Sequence, residues 1–107
     1  MTAGPEPFDV AIEARGDELW VLPTGDLDLA AAPDLRESLS LALRSDAQAI
    51  VVDLRGLDFL DSAGLRVLVD ACTGPDAGRV SLVPGNERVR GVFVLSGLDR
   101  RLAFREA

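Results

Sequence analysis

The sequence contains no histidine and only one cysteine among its 107 residues. The absence of histidine excludes a Ser-His-Asp catalytic site, a histidine phosphorelay and a histidine-based zinc site. The single cysteine, Cys72, cannot form an internal disulfide, and its place on the apolar side of a predicted helix indicates a buried free thiol. The sequence shows neither a metal-ligand cluster nor a phosphate-binding glycine loop, so an enzyme is the least favoured class and no cofactor is expected.

Basic residues are also scarce, with 11 lysines and arginines against 18 aspartates and glutamates and a net charge of −7. Nucleic-acid backbones and anionic membranes are bound by basic patches, so neither is an expected partner. The first nine residues, MTAGPEPFD, lack the basic and apolar regions of a secretory signal. No apolar run approaches the roughly 20 residues that span a bilayer, and the cytoplasm is therefore the expected location.

What the sequence does contain is the composition of an ordinary globular domain, 48% apolar and 27% charged. Its length fits one domain covering 1–107, in which 1–7, with two prolines and a glycine, are expected to be flexible. The hydrophobic pattern predicts strands at about 8–13, 19–24, 49–54 and 80–83, with a last short strand at 102–104. It predicts helices at about 33–44, 62–73 and 87–96.

This order, β-β-α-β-α-β-α-β, predicts a single α/β domain with a mixed, mainly parallel sheet of about four to five strands and three helices. The first strand is expected to pair antiparallel with the second, and 25–28 are predicted to form a loop. Right-handed crossovers place the starts of the helices at the carboxyl ends of the parallel strands. The loops that carry Asp28 and Asp61-Ser62 should therefore lie at the same edge of the sheet, where such folds place their sites.

The junction Asp61-Ser62-Ala63-Gly64 interrupts an apolar pattern at the start of the second helix. One interpretation is structural: Asp61 or Ser62 accepts a hydrogen bond from the first helical turn and caps it. Gly64 fits that interpretation poorly, because a glycine inside a helix costs about 0.5–1 kcal/mol relative to alanine. With Ala63 and Gly64 beside it, the turn is bare, so another backbone could approach and the Ser62 hydroxyl would be unobstructed.

A functional interpretation of the same junction is that Ser62 is phosphorylated by another protein. A helix N-terminus tolerates a phosphate, because it presents free N–H groups and a partial positive charge. Ser62 is not the serine of a G-x-S-x-G elbow, since Leu60 occupies the position of the first glycine. Arg66, one turn further on, either contacts the phosphate or lies on a solvated helix face.

The sequence resembles a STAS domain of the anti-sigma factor antagonist family. The resemblance rests on three segments that keep their order and spacing over most of the chain: 25-GDLDLAAAPDLRESL-39, 50-IVVDLRGLDFLDSAGLRVLV-69 and 89-VRGVFVLSGLDRRL-102.

This resemblance implies a cytoplasmic switch protein whose unphosphorylated form binds an anti-sigma factor and releases the sigma factor. It implies that the anti-sigma factor is also the serine kinase that modifies Ser62, and that a metal-dependent serine phosphatase restores it. The aspartates Asp28 and Asp61 match positions associated with kinase docking or phosphorylation, and Ala63, Gly64 and Arg66 complete the expected partner surface. For Asp28 the alternative is a structural role in an Asx-turn.

The chain departs from the family in several places. It ends soon after Phe104, where members commonly add a terminal helix, so one apolar face of the sheet is expected to be exposed or covered by a second copy, which leaves a homodimer open. Ala63 replaces a second serine that some members carry, so Ser62 is the sole hydroxyl of the motif. The alternative function is a STAS interaction module without phosphorylation, such as an accessory subunit of a transporter or a small-ligand binder.

Overall fold

A computed structural model describes residues 7–107 of the chain, so the expectation of a flexible 1–7 lies almost wholly outside the described residues. The prediction of a single α/β domain with three helices and a mixed five-stranded sheet is confirmed. The strands and helices, numbered along the chain, are β1 Asp9–Arg15, β2 Glu18–Leu27, α1 Ala32–Leu43, β3 Ala49–Asp53, β4 Leu57–Leu60, α2 Ser62–Thr73, β5 Val80–Val83 and α3 Glu87–Leu95.

The sheet follows the order β1-β2-β3-β5, and β4 pairs with β2. β1 and β2 form an antiparallel hairpin that closes at Arg15 and Glu18, with Gly16 in the left-handed region at φ 62°. The other strand pairs are parallel. The helices α1 and α2 return the chain to the starting end of the sheet, whereas β4 continues in the direction of β3 along β2 after a three-residue helical turn. The predicted mainly parallel sheet with an antiparallel first strand is therefore correct.

Two details of the strands differ from the sequence prediction. Residues 25–27 were predicted as a loop but extend β2, because Asp26 and Leu27 pair with Phe59 and Leu60 of β4, a strand that the sequence pattern did not separate from the helix after it. The pairing register shifts between Gly25 and Asp26, and Gly25 has φ 86°, which a residue with a side chain rarely adopts. β2 thus pairs with β3 along its first half and with β4 along its second.

The helices lie over one face of the sheet, where a cluster of buried residues joins them to alternate strand positions such as Val21, Ile50, Val52 and Leu82. The last predicted strand is reduced to a single parallel bridge between Leu82 and Phe104.

The opposite face carries a smaller cluster of Trp20, Val51 and Val83. The expectation of an open apolar face is wrong at this cluster, because Trp20 is only 4% exposed. The guanidinium groups of Arg15 and Arg105 lie 4.1 Å and 5.6 Å from the Trp20 ring centre and cover it through cation–π contacts. In the C-terminal segment, Arg105 is therefore the residue that covers Trp20. The described residues form no helix over this ring.

The end of α1 is held by Arg79, which precedes β5. Its guanidinium donates to three carbonyl oxygens, those of Leu43 at 2.6 Å, Ala47 at 2.7 Å and Ser45 at 3.2 Å. The carbonyl of Leu43, the last residue of α1, has no partner within the helix, and Ser45 and Ala47 lie in the segment that follows. One arginine therefore satisfies all three carbonyls and fastens the end of α1 to the start of β5.

We expect Arg79→Ala to lower the free energy of unfolding by about 2 kcal/mol, because charge-assisted hydrogen bonds to these carbonyls are lost. Urea denaturation followed by circular dichroism measures the change. The matched control is Arg44→Ala, which removes the same charge from an exposed position at the end of α1 and should change stability by less than about 0.5 kcal/mol. Equal effects of the two variants would contradict the role assigned to Arg79.

Candidate functional site

The start of α2 is capped by Asp61. Its backbone is extended and its Oδ1 accepts a hydrogen bond from the Gly64 N–H at 3.0 Å. The sequence left open whether Asp61 or Ser62 caps this helix. In the structure the capping residue is Asp61. Ser62, the first residue of the helix, is exposed, and its side chain is not needed for capping.

Gly64 is buried in the contact between α2 and β2. A Cβ atom at this position would lie 2.6 Å from the Leu27 carbonyl oxygen, 2.6 Å from Leu27 Cγ and 2.9 Å from Leu60 Cδ1. The sequence suggested that another backbone could approach this turn closely. In the structure that backbone belongs to β2 of the same chain. Gly64 therefore lets the first turn of α2, which carries Ser62, pack closely against β2. Of the two small residues, Ala63 is partly exposed and Gly64 is buried.

Asp28 organises the loop between β2 and α1. Its Oδ1 accepts a hydrogen bond from the Ala31 N–H at 3.0 Å, and its carbonyl oxygen accepts from the N–H groups of Ala31 at 3.1 Å and Ala32 at 2.9 Å. Asp28 therefore has a structural role in this loop, although its side chain bonds the N–H three residues on, whereas an Asx-turn bonds the N–H two residues on.

The two aspartate-bearing loops meet at one edge of the sheet, as the topology predicted. Leu27 and Leu60, which precede Asp28 and Asp61, are paired neighbours in β2 and β4. The Asp61 N–H donates to the Leu27 carbonyl oxygen at 3.2 Å and links the two loops directly. We use the name junction surface for Asp28, Asp61 and Ser62 together with the residues at the surface beside them, Leu29, Ala63 and Arg66.

β3 ends at Asp53, which is buried beside the first half of β2, away from the junction surface. Arg55 satisfies its carboxylate with two side-chain hydrogen bonds at 2.7 Å and 2.9 Å and a backbone hydrogen bond at 3.0 Å. These bonds lower the pKa of Asp53, with the side-chain bond from Arg55 as the largest cause. The ion pair is internally satisfied, so Asp53 stabilises the turn after β3 and presents no free group to a ligand.

Arg66 is exposed and lies against Asp70, with 3.6 Å between Arg66 Nε and Asp70 Oδ1. Asp70 also accepts a hydrogen bond from Arg36 of α1 at 3.1 Å. Ser62 and Arg66 line the same shallow surface depression along α2, together with Ala63, Leu65 and Val69. The structure thus places Arg66 on the predicted surface but pairs it with Asp70.

Sequence reasoning missed two exposed apolar residues, one beside Asp28 and one in β4. Leu29, next to Asp28, is 75% exposed, and Phe59, opposite Asp26 in β4, is 41% exposed. Large apolar side chains that rise from an acidic surface are candidate contacts for another protein. For Leu29 a signal was available, because it precedes α1 and belongs to no apolar stripe, whereas Phe59 lies in the strand that was not predicted.

The other candidate groups carry little chemistry. Cys72 is partly buried, and burial raises the pKa of its thiol to about 11, which keeps it protonated and unreactive near neutral pH. Within residues 7–107, no group of three or more metal-ligating side chains is placed to hold a metal ion. The described part of the chain also contains no helix with the length and apolar character needed to cross a membrane.

Comparison with protein families identifies the chain, because the family model of the STAS domain matches residues 9–107. The chain belongs to the STAS domain family. A curated relative of this STAS domain is the anti-sigma-F factor antagonist RsfB of Mycobacterium tuberculosis, which is 27% identical over 101 residues, covering 92% of this chain and 81% of RsfB.

Solved structures resemble this STAS domain over nearly its whole length. An anti-sigma factor antagonist from Mycobacterium paratuberculosis has a TM-score of 0.87 at 22% identity, covering 99% of this chain and 92% of that one. The unphosphorylated form of SpoIIAA has a TM-score of 0.73 at 24% identity, covering 94% and 88%. The phosphorylated form of SpoIIAA from Bacillus has a TM-score of 0.66 at 24% identity, covering 94% and 91%. At these identities the structures establish a shared fold.

Proposed function

We propose that this STAS domain is an anti-sigma factor antagonist controlled by phosphorylation of Ser62. Its unphosphorylated form binds an anti-sigma factor through the junction surface and so releases a sigma factor, and the phosphorylated form does not bind. The observation that carries the proposal is that Asp61 caps α2, which leaves the exposed Ser62 hydroxyl free for modification. The relatives named above support this function, since RsfB is an anti-sigma-F factor antagonist and SpoIIAA exists in a phosphorylated form.

The junction surface suits a switch because modification there does not require the fold to change. The Asp61 cap and the Gly64 contact with Leu27 both lie beneath Ser62 and involve none of its side-chain atoms. A phosphate on the first residue of α2 meets the positive end of the helix dipole, which favours an anion. The modified chain should therefore remain folded.

Binding is sensitive to the same modification because the phosphate adds about −1.5 to −2 charges at the surface. A partner that binds across the Asp28 loop and the first turn of α2 brings its own atoms close to Ser62. At a tight interface, the dianion must be desolvated and repels acidic groups of the partner, which favours dissociation.

In this proposal the chemistry is done by other proteins, and the STAS domain is a substrate. The anti-sigma factor is itself the ATP-dependent serine kinase, and a metal-dependent serine phosphatase removes the phosphate in the cytoplasm. Asp28, Asp61, Ala63 and Arg66 form the surface that the kinase contacts, and Gly64 holds it in place.

The test is to incubate the protein with its anti-sigma factor and ATP and to measure the intact mass. We expect one added phosphate on the wild type and none on Ser62→Ala, because Ser62 is the motif's sole hydroxyl. The control variant Ser40→Ala removes an exposed hydroxyl from α1 and should accept the phosphate as the wild type does. An unmodified wild type beside a kinase that is active on another substrate would favour a STAS interaction module without a phosphoswitch.

A further inference from the structure

Arg66 is held weakly in the unphosphorylated protein. Its side chain is 77% exposed, and its contact with Asp70 spans 3.6 Å. The pair also has the less favourable order along the helix, because an acidic residue four positions before a basic one is more stabilising than the reverse. Exposed ion pairs of this kind contribute little to stability, so Arg66 can be drawn away by a better anion.

Asp70 does not depend on Arg66 for a partner. Arg36, on the neighbouring helix α1, donates to Asp70 Oδ2 at 3.1 Å, whereas Arg66 approaches Oδ1. If Arg66 leaves, the carboxylate keeps its closer hydrogen bond and α1 stays linked to α2. The exchange therefore leaves no buried or unpaired charge behind.

Ser62 lies four residues before Arg66 on the same helix face, and both line one surface depression. Positions four apart on a helix have Cβ atoms about 5–6 Å from each other, within reach of an arginine side chain. An anion at Ser62 and a cation at Arg66 have the favourable order along the helix, and a phosphate offers up to two charges where Asp70 offers one.

We propose that Arg66 is the intramolecular ligand of the phosphate on Ser62 and exchanges Asp70 for it upon phosphorylation. This inference rests on the proposed function. Phosphorylation then removes two groups from the junction surface at once, the Ser62 hydroxyl and the Arg66 guanidinium. A partner that contacts the Arg66 guanidinium loses that contact in the modified form.

Phosphorus NMR of protein carrying genetically encoded phosphoserine at position 62 tests the inference without any kinase. A neighbouring cation favours the dianion and lowers the second phosphate pKa, whereas the carboxylates of Asp61, Asp28 and Asp70 raise it. We expect Arg66→Ala to raise that pKa by about 0.15–0.4 units relative to the unsubstituted chain, and Arg66→Lys to restore part of the difference.

Two further variants separate a specific contact from a general effect of charge. Asp70→Asn releases Arg66 and should leave the phosphate pKa at or below the value of the unsubstituted chain. Arg44→Ala removes one positive charge at the far end of α1 and should leave it within about 0.1 units, because exposed charges beyond a Debye length are screened.

Equal phosphate titrations of Arg66→Ala and Arg44→Ala would overturn the inference. Since the phosphoserine is installed during synthesis, that outcome is distinct from a failure of the proposed function, which the kinase assay tests. Arg66→Gln, which keeps most of the side chain, provides a second measurement if Arg66→Ala alters the circular dichroism spectrum.

Discussion

Replacing Ser62 with aspartate is expected to weaken the complex with the anti-sigma factor by about 100-fold, with little change in the melting temperature. Ser62 is exposed and the Asp61 carboxylate caps the helix, so the substitution removes no internal hydrogen bond. An acidic side chain at the first turn of a helix is favourable for the isolated protein, whereas a buried, unpaired charge at an interface costs several kcal/mol. Isothermal titration calorimetry and a thermal melt measure the two quantities.

Ser40→Asp is the matched control for this prediction, because it adds the same charge at an exposed position of α1 away from the junction surface. Ser62→Ala should bind like the wild type, since a methyl group fits where the hydroxyl was. If Ser62→Asp unfolded at a markedly lower temperature, Ser62 would have a structural role that the hydrogen bonds do not show. If Ser40→Asp weakened binding equally, the effect would come from overall charge.

Gly64→Ala is expected to destabilise the protein by about 2–4 kcal/mol, although helix propensity alone predicts that it stabilises by about 0.5–1 kcal/mol. The added Cβ would lie 2.6 Å from the Leu27 carbonyl oxygen, and this backbone atom is held by the pairing of β2 with β4. The helix can relieve the overlap only by moving away from the sheet, which also displaces Ser62 and Asp61.

Gly91→Ala is the same substitution at another helix position, and we expect it to change stability in the opposite direction. Gly91 lies within α3, and a Cβ there meets nothing within 4 Å, so propensity should dominate and stability should rise by about 0.5–1 kcal/mol. Urea denaturation of the two variants gives the comparison. A Gly64→Ala variant as stable as the wild type would show that the α2–β2 contact is looser than its geometry implies.

The elements with strong local signals were predictable from the sequence. The extent of α3 followed from Asn86, whose Oδ1 accepts from the Val89 N–H at 2.9 Å, and from Gly97, which has φ 74°. β3 was recognisable as a strand covered on both faces because it lacks alternation. In each case the signal that decides the prediction lies within a few consecutive residues.

The end of β2 was not predictable in the same way. Gly25 and Asp26 are typical of a turn, and only the pairing of 25–27 with β4 makes them part of a strand. The partner segment, 57–60, is too short to show a period of its own beside the helix that follows. Pairing between segments 30 residues apart outweighed local preference.

By itself the sequence determined the order of the three helices and of β1, β2, β3 and β5, the meeting of the Asp28 and Asp61 loops at one edge, and the presence of a single hydroxyl at the start of α2. These follow from local backbone preferences and from the handedness of crossovers. Tertiary structure alone decided that Asp61 makes the cap, that Gly64 packs against Leu27, that Arg66 pairs with Asp70, and that arginines cover Trp20. Each of these choices depends on distances between groups, and local sequence preferences do not specify such distances.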